Sequence, residues 1–294
     1  MATLAIDIGA TKFAVALVNP TRELLFRKEV PASQLWDGLA RILTEVAADL
    51  SHQVTKIGIG SAGPINTQTG EISPVNILPW RSFPIVAKVK EIFPQAKVKM
   101  VGDAVALAVA EHAIGAGAGS RNMLGMVVST GIGGGIIVND EPLGGDFGNA
   151  GYFGHTVVGD YDGECNCGRI GCVEGYASGI SMVRFAKKSG WSGEDFVALA
   201  QAAREGDTHA IAAIEFGTEH LAKAIINIAQ IFDLHCVVVG GGVIEAGDIY
   251  WQPLKKALLS HSTSLNLVQP IKLLPAQLER DAGLIGAAMV VGLE

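Results

Sequence analysis

The chain has 294 residues, a length that predicts two domains or lobes with ample core. Hydrophobic residues make up 49% and charged ones 17%, which excludes an intrinsically disordered chain. The net charge of −7 argues against general nucleic-acid binding, and no run of about 18 apolar residues predicts a membrane-spanning helix.

The opening MATLAIDIGATK has neither a basic n-region nor an apolar h-region. No secretory leader is expected, and the chain reads as cytoplasmic. Residues 4–18 predict a strand, a turn at Gly9-Ala10-Thr11-Lys12 and a second strand. A helix is expected over 35–50, a strand over 54–60 and a turn at Ser61-Ala62-Gly63-Pro64. Residues 74–84 form a breaker-rich loop, 98–101 a strand and 104–114 a helix. The stretch 115–120, GAGAGS, is the clearest linker. Residues 126–138, MVVSTGIGGGIIV, repeat the first hairpin. Aligning Gly9 with Gly131 sets Asp7 against Ser129 and suggests a duplicated architecture. A long glycine-rich loop spans 144–171. Helical patterns cover 179–188, 195–204 and 208–232. A buried strand at 236–239 runs into Gly240-Gly241-Gly242, and 281–291 reads as a helix of small residues. Short strands alternating with helices predict an α/β fold with mixed sheets.

Three glycine loops follow strands, at 7–12, 129–135 and 240–242. Glycine lets backbone N–H groups crowd an anion at positive φ without strain. The first two loops join strand to strand and match neither the P-loop nor the dinucleotide-binding fingerprint. Each alone also reads as a plain turn; together they fit phosphates in two loops and the rest of a nucleotide in the third, which opens a helix. Asp7 suits a Mg²⁺ beside those phosphates, or a turn cap. Thr11 and Lys12 add a hydroxyl and a cation, Lys12 equally fitting a solvated hairpin position.

Three of the four cysteines, Cys165, Cys167 and Cys172, lie within eight residues, downstream of His155. A Cys₃His set suits a closed, structural tetrahedral Zn²⁺; buried free thiols are the alternative. Cys236 reads as core. Asp103, between a strand and a helix, is either a helix N-cap or a general base at a sheet's carboxyl edge. A carboxylate there takes the proton of a sugar hydroxyl during phosphoryl transfer. Glu174 follows the cysteine cluster, where it can accept hydrogen bonds from sugar hydroxyls, and Asn76 and His155 are further polar loop groups.

The run HTVVGDYDGECNCGRIGCVEGYASG resembles the signature of the ROK family (repressors, open reading frames and sugar kinases). Gly154-His155, the three cysteines, Glu174 and Ser178 carry it; DIGATK, SAGPIN, STGIGGG, VVVGGGV and DAGLIGAA resemble further family segments in order. The resemblance implies the two-lobed actin-like ATPase fold shared by hexokinase, Hsp70 and actin, with duplicated mixed-sheet lobes. Residues 1–118 would form the N-terminal lobe, with the first phosphate loop and the catalytic Asp, and a helix at about 281–294 would return to it. Residues 119–280 would form the C-terminal lobe, with the second phosphate loop, the zinc loop and the adenosine segment. Asp103 would be the catalytic base. Gly63, Asn76, Tyr152, His155 and Glu174 would bind sugar. Asp7, Gly9, Thr11, Lys12, Thr130, Gly131, Gly133, Gly241 and Gly242 would hold ATP and Mg²⁺. His155, Cys165, Cys167 and Cys172 would hold the structural Zn²⁺.

Three positions depart from the family pattern. Gly102 stands where a sugar-contacting Asn usually precedes the catalytic Asp, Tyr152 where a sugar-binding Glu is common, and Ala10 where the first loop more often has Gly. The expected activity is ATP-dependent phosphorylation of a hexose, at carbon six, with an N-acetylmannosamine or other N-acetylhexosamine kinase and a non-catalytic sugar sensor as alternatives. A homodimer is expected from the resemblance. Direct DNA binding is not, because the first glycine loop begins by residue 7, leaving no winged helix before it.

Overall fold

The computed structural model describes residues 2–50, 54–160, 163–264 and 270–293. The chain opens with β1 (Thr3–Ile8), β2 (Lys12–Val18), β3 (Leu24–Pro31) and α1 (Leu35–Leu50). There follow β4 (Lys56–Ser61), the short pair β5 (Ile65–Asn66) and β6 (Glu71–Ile72), α2 (Ile85–Ile92), β7 (Lys97–Gly102) and α3 (Asp103–Ile114). The second half has β8 (Met123–Val128), β9 (Ile132–Val138) and β10 (Glu141–Pro142), then helices α4 (Val173–Ala177), α5 (Gly179–Lys188), α6 (Phe196–Arg204) and α7 (Thr208–Phe232). It closes with β11 (Cys236–Gly240), α8 (Asp248–Ser264), β12 (Lys272–Pro275) and α9 (Ala282–Val290).

Two five-stranded sheets carry the same design. The first runs β3-β2-β1-β4-β7 and the second β10-β9-β8-β11-β12. In each, a leading antiparallel hairpin joins two parallel strands through its first strand. The last cross-strand pairs are Ile8↔Phe13 and Val128↔Ile132. Matching the hairpins by their pairing therefore sets Ser129 against Gly9, not against Asp7. The second turn is one residue shorter, so alignment on glycine shifts the register by two.

Strand alternation divides each sheet between two cores. Leu4, Ile6 and Ile8 of β1 face Leu39 and Leu43 of α1 and the buried Trp80. Ala5, on the opposite face, meets Leu284 and Ala287 of α9. In β8, Leu124, Met126 and Val128 face Leu221 and Ile225 of α7, while Met123 faces Val105 and Ala108 of α3. Helix α3, early in the chain, thus packs on the second sheet. Helix α9, at its end, packs on the first, and the two helices pack on each other.

That central layer is tight. A Cβ on Gly58 would lie 1.6 Å from the Ala287 carbonyl oxygen, and one on Gly286 would lie 1.7 Å from that of Ala106. Both obstacles are backbone, so neither can swing aside.

The third glycine loop differs from expectation. It opens a 3-10 turn, Gly242–Ala246, and α8 begins only at Asp248. Gly241 takes φ 99°, and a Cβ there would meet the Val128 oxygen at 2.4 Å. The strand end and turn are therefore too closely packed for a helix to start directly.

Gly286→Ala tests the central layer. Alanine in a helix gains roughly 0.5–1 kcal/mol over glycine. Overpacking against fixed backbone costs about 1–3 kcal/mol. A net loss of stability is expected, seen as a lower denaturation midpoint at unchanged m-value.

Candidate functional site

Three strand ends and one helix start converge between the sheets. Asp7 is the penultimate residue of β1, paired with Ala14 and Gly60. It lies on the inner face, where a Cβ on Gly283 of α9 would be 3.2 Å from its carboxylate. Asp103 is the first residue of α3, with Gly102 at the N-cap position and no side-chain cap. Its Oδ1 accepts the Ala104 N–H at 2.7 Å. Asp103 therefore sits inside the helix rather than capping it, with its carboxylate held at the helix start.

The two acids feel each other. Burial pushes the Asp7 carboxyl up to about 7, the Asp103 carboxylate adds to the rise, and Lys12 opposes it. Burial also raises Asp103, against the backbone N–H bonds that favour its charge. Two desolvated carboxylates in one cleft form a site that favours a cation.

The second hairpin approaches the same place through its glycines. A Cβ on Gly133 would lie 3.7 Å from Asp103 Oδ1 and one on Gly131 would lie 2.6 Å from Glu174 Oε2. Glu174 accepts the Ile132 N–H at 2.9 Å, and Cys165 Sγ lies 3.4 Å from its other oxygen. Thr130 lies beside Glu174 and Cys165 in a small adjoining hollow. In the first turn, Gly9 N–H bonds the Lys12 carbonyl at 3.1 Å. Thr11 is exposed, and its carbonyl accepts from Ala32. The Lys12 ammonium is paired with Glu29 at 2.8 Å, which in turn bonds Arg27, and Arg27 bonds Asp281 ahead of α9. Gly242 is exposed, with open space around its α-carbon.

Asp103, Gly63, Gly133 and Tyr152 line one narrow cavity of about 30 Å³, together with Asn149. That is the share of a single water. A Cβ on Gly63 would touch the Tyr152 ring at 3.2 Å. Tyr152 packs against His155, with ring centroids 4.6 Å apart. Burial raises its hydroxyl pKa, with Glu174 and Asp103 adding to it. Asn76 is not brought into this group; it is exposed and lines no part of the cavity. Asn149, absent from the sequence expectations, takes a place instead. Its side chain bonds Ile65 twice, accepting at 2.8 Å and donating at 2.7 Å, so it ties the glycine-rich loop to β5. Its position among Gly148, Ala150 and Gly151 was the available signal. A larger cavity of about 570 Å³, between β7, residues 67–70 and the end of α9, has among the described residues no acid in its lining and none of the predicted site residues.

His155, Cys165, Cys167 and Cys172 come together, with one ligand atom from each within 4.8 Å of the others. Cys167 and Cys172 sulfurs are 3.7 Å apart, and Cys165 Sγ is 3.3 Å from His155 Nδ1. Zinc–sulfur bonds of about 2.3 Å put tetrahedral ligands roughly 3.7 Å apart. The donor set and its spacing therefore fit a four-coordinate zinc.

The Asp7 carboxyl sets a pH dependence. Its pKa in the fold, about 7, stands above the ordinary 3.8. The fold favours the protonated form, so that stability is full below about 3.8 and is lost as pH rises through about 7. In metal-free protein, the melting temperature of the wild type should fall relative to Asp7→Asn across that window. Parallel curves for the two proteins would refute the shift.

Known proteins share this arrangement over the whole chain. The ROK family profile matches residues 3–293. An N-acetylmannosamine kinase of Escherichia fergusonii is 33% identical, covering 99% of this chain and 98% of its own. The ROK hexokinase of Thermus thermophilus superposes with a TM-score of 0.88 at 31% identity, covering 100% of this chain and 98% of its own. A ROK glucokinase of Streptomyces griseus, solved with glucose and AMPPNP, gives 0.81 at 30% identity and covers both chains fully. These neighbours have the actin-like ATPase fold, which the paired sheets reproduce. With the Cys₃His cluster, both glycine hairpins and the two cleft acids in place, the chain belongs to the ROK family.

Proposed function

We propose that the protein is an ATP-dependent sugar kinase that phosphorylates a hexose at its carbon-six hydroxyl. The carrying observation is Asp103: a desolvated carboxylate at a helix start, facing a glycine hairpin, beside a second buried acid. The Streptomyces griseus glucokinase, solved with glucose and an ATP analogue, supports the donor and the substrate class.

In this reading Asp103 takes the proton of the sugar hydroxyl. The hydroxyl oxygen attacks the γ-phosphorus, the bond from that phosphorus to the β–γ bridging oxygen breaks, and ADP leaves. The raised pKa makes Asp103 a better proton acceptor than an exposed aspartate. Turn amides at Thr130 and Gly131 would face the phosphates, Gly9, whose N–H is held by the Lys12 carbonyl, would let them approach the first turn closely, and Lys12 would exchange Glu29 for phosphate oxygen. Gly241 and Gly242 leave a surface for the nucleoside. Asp7 is the residue that would hold Mg²⁺, which supplies charge neutralisation on the phosphates. Glu174, His155, Tyr152 and Gly63 form the sugar side of the cleft, with Asn149 supporting its wall.

A second substrate reading follows from Gly102. A Cβ there meets nothing nearer than Val105 Cγ2 at 3.6 Å, so the position is open where the family usually places Asn. That room favours a bulkier sugar such as N-acetylmannosamine, the substrate named for the Escherichia fergusonii relative.

Two measurements test these assignments. ADP release with ATP–Mg²⁺ should be seen with glucose, N-acetylmannosamine or a related hexose. Asp103→Asn should lower kcat by about 10²–10⁴ while sugar binding persists. Silence with every sugar, or full activity in the variant, would sink the kinase reading. For zinc, metal analysis should find roughly one ion per chain, and Cys172→Ser should abolish it. A wild-type protein purified without zinc yet fully folded and active would remove the metal assignment.

A further inference from the structure

Glu111 is buried completely, eight residues after Asp103 on the same helix. It does not line the cavity beside Asp103. Among the described residues, the side-chain partners of its carboxylate are backbone amides. Oε2 accepts the Ala116 N–H at 2.8 Å. Oε1 accepts from Gln277 at 2.9 Å and Leu278 at 2.8 Å.

Those amides belong to the two segments where the chain crosses between the sheets. Residues 103–122, helix α3 and the turn after it, carry the chain from β7 of the first sheet to β8 of the second. Residues 276–281 lead from β12 back to α9, which packs on the first sheet. One carboxylate therefore joins both crossings, each through a different oxygen. The close approach is specific: a Cβ on Gly115 would lie 2.1 Å from Oε2. In the kinase reading the hexose and ATP enter between the lobes, so these segments carry the movement of one lobe on the other.

We propose that Glu111 is a positioning residue that makes the two crossings move as one hinge. It keeps the Asp103 helix in a fixed relation to both segments while the lobes open and close. The effect on catalysis rests on the kinase reading above; the coupling of the crossings does not.

Hydrogen exchange on the ligand-free full chain reads the coupling directly. Glu111→Gln preserves shape but sets an N–H donor against one of the amides. Losing a charge-assisted bond should speed exchange about tenfold in both 115–118 and 276–279, with β1 and β8 unchanged. Gly115→Ala keeps the carboxylate and displaces it from the first crossing; exchange at 276–279 should rise again. Turnover should show the same coupling, with kcat down about tenfold and the KM for ATP within about twofold. Exchange that rises in one crossing alone, or equally through both sheets, overturns the hinge. Altered exchange with unchanged kcat overturns the positioning role. A wild type that turns over neither glucose nor N-acetylmannosamine sinks the kinase reading and leaves the hinge to be decided by exchange.

Discussion

The architecture depends on how closely two helices sit between two sheets. Helices α3 and α9 meet each other and each covers one sheet, with Gly58 and Gly286 removing the atoms that would collide with backbone. Ala5, Ala106, Ala108, Ala287 and Ala288 complete this thin layer. Larger side chains would push the sheets apart and with them the strand ends.

The cleft chemistry follows from that layer. Asp7 lies one residue from the end of β1 on its inner face, and Asp103 starts the helix lying against the other sheet. Thin packing brings both acids into desolvated surroundings, where the Asp103 carboxylate disfavours the charge of Asp7. A cation or a transferable proton relieves that cost. The same helix carries Asp103 at its start and the buried Glu111 near its end, eight residues and about two turns apart.

The cysteine loop serves the cleft from the other side. Its four donors gather around one point, and Glu174, just beyond the last cysteine, bonds the start of β9. Four protein donors would leave a bound zinc no open coordination position, so a metal there would hold Glu174, His155 and the neighbouring Tyr152 in place. Lys12 is fixed in a comparable way by Glu29 and Arg27, a chain of charges leading to Asp281 at the foot of α9.

Much of this was legible in the residues. Periodicity gave α1 and α7 at their observed limits, because both are amphipathic and α7 is closed by an Asp207 cap and a left-handed Asp233. Spacing gave the Cys₃His cluster, because its ligands lie on one short loop. The charged edge strand β3 and the proline-containing α8 have no such pattern, and neither was anticipated. Asn76 and Asn149 are both loop asparagines, and local sequence cannot say which loop folds over the cleft. The sequence by itself determined the family motifs, the two glycine hairpins and the Cys₃His cluster, since each is written within a short stretch. Only the tertiary structure decided that α3 packs on the second sheet, that Asp7 comes within electrostatic reach of Asp103, and that Glu111 bonds both segment 115–122 and segment 276–281. Those pairings are set by packing and desolvation rather than by any local pattern.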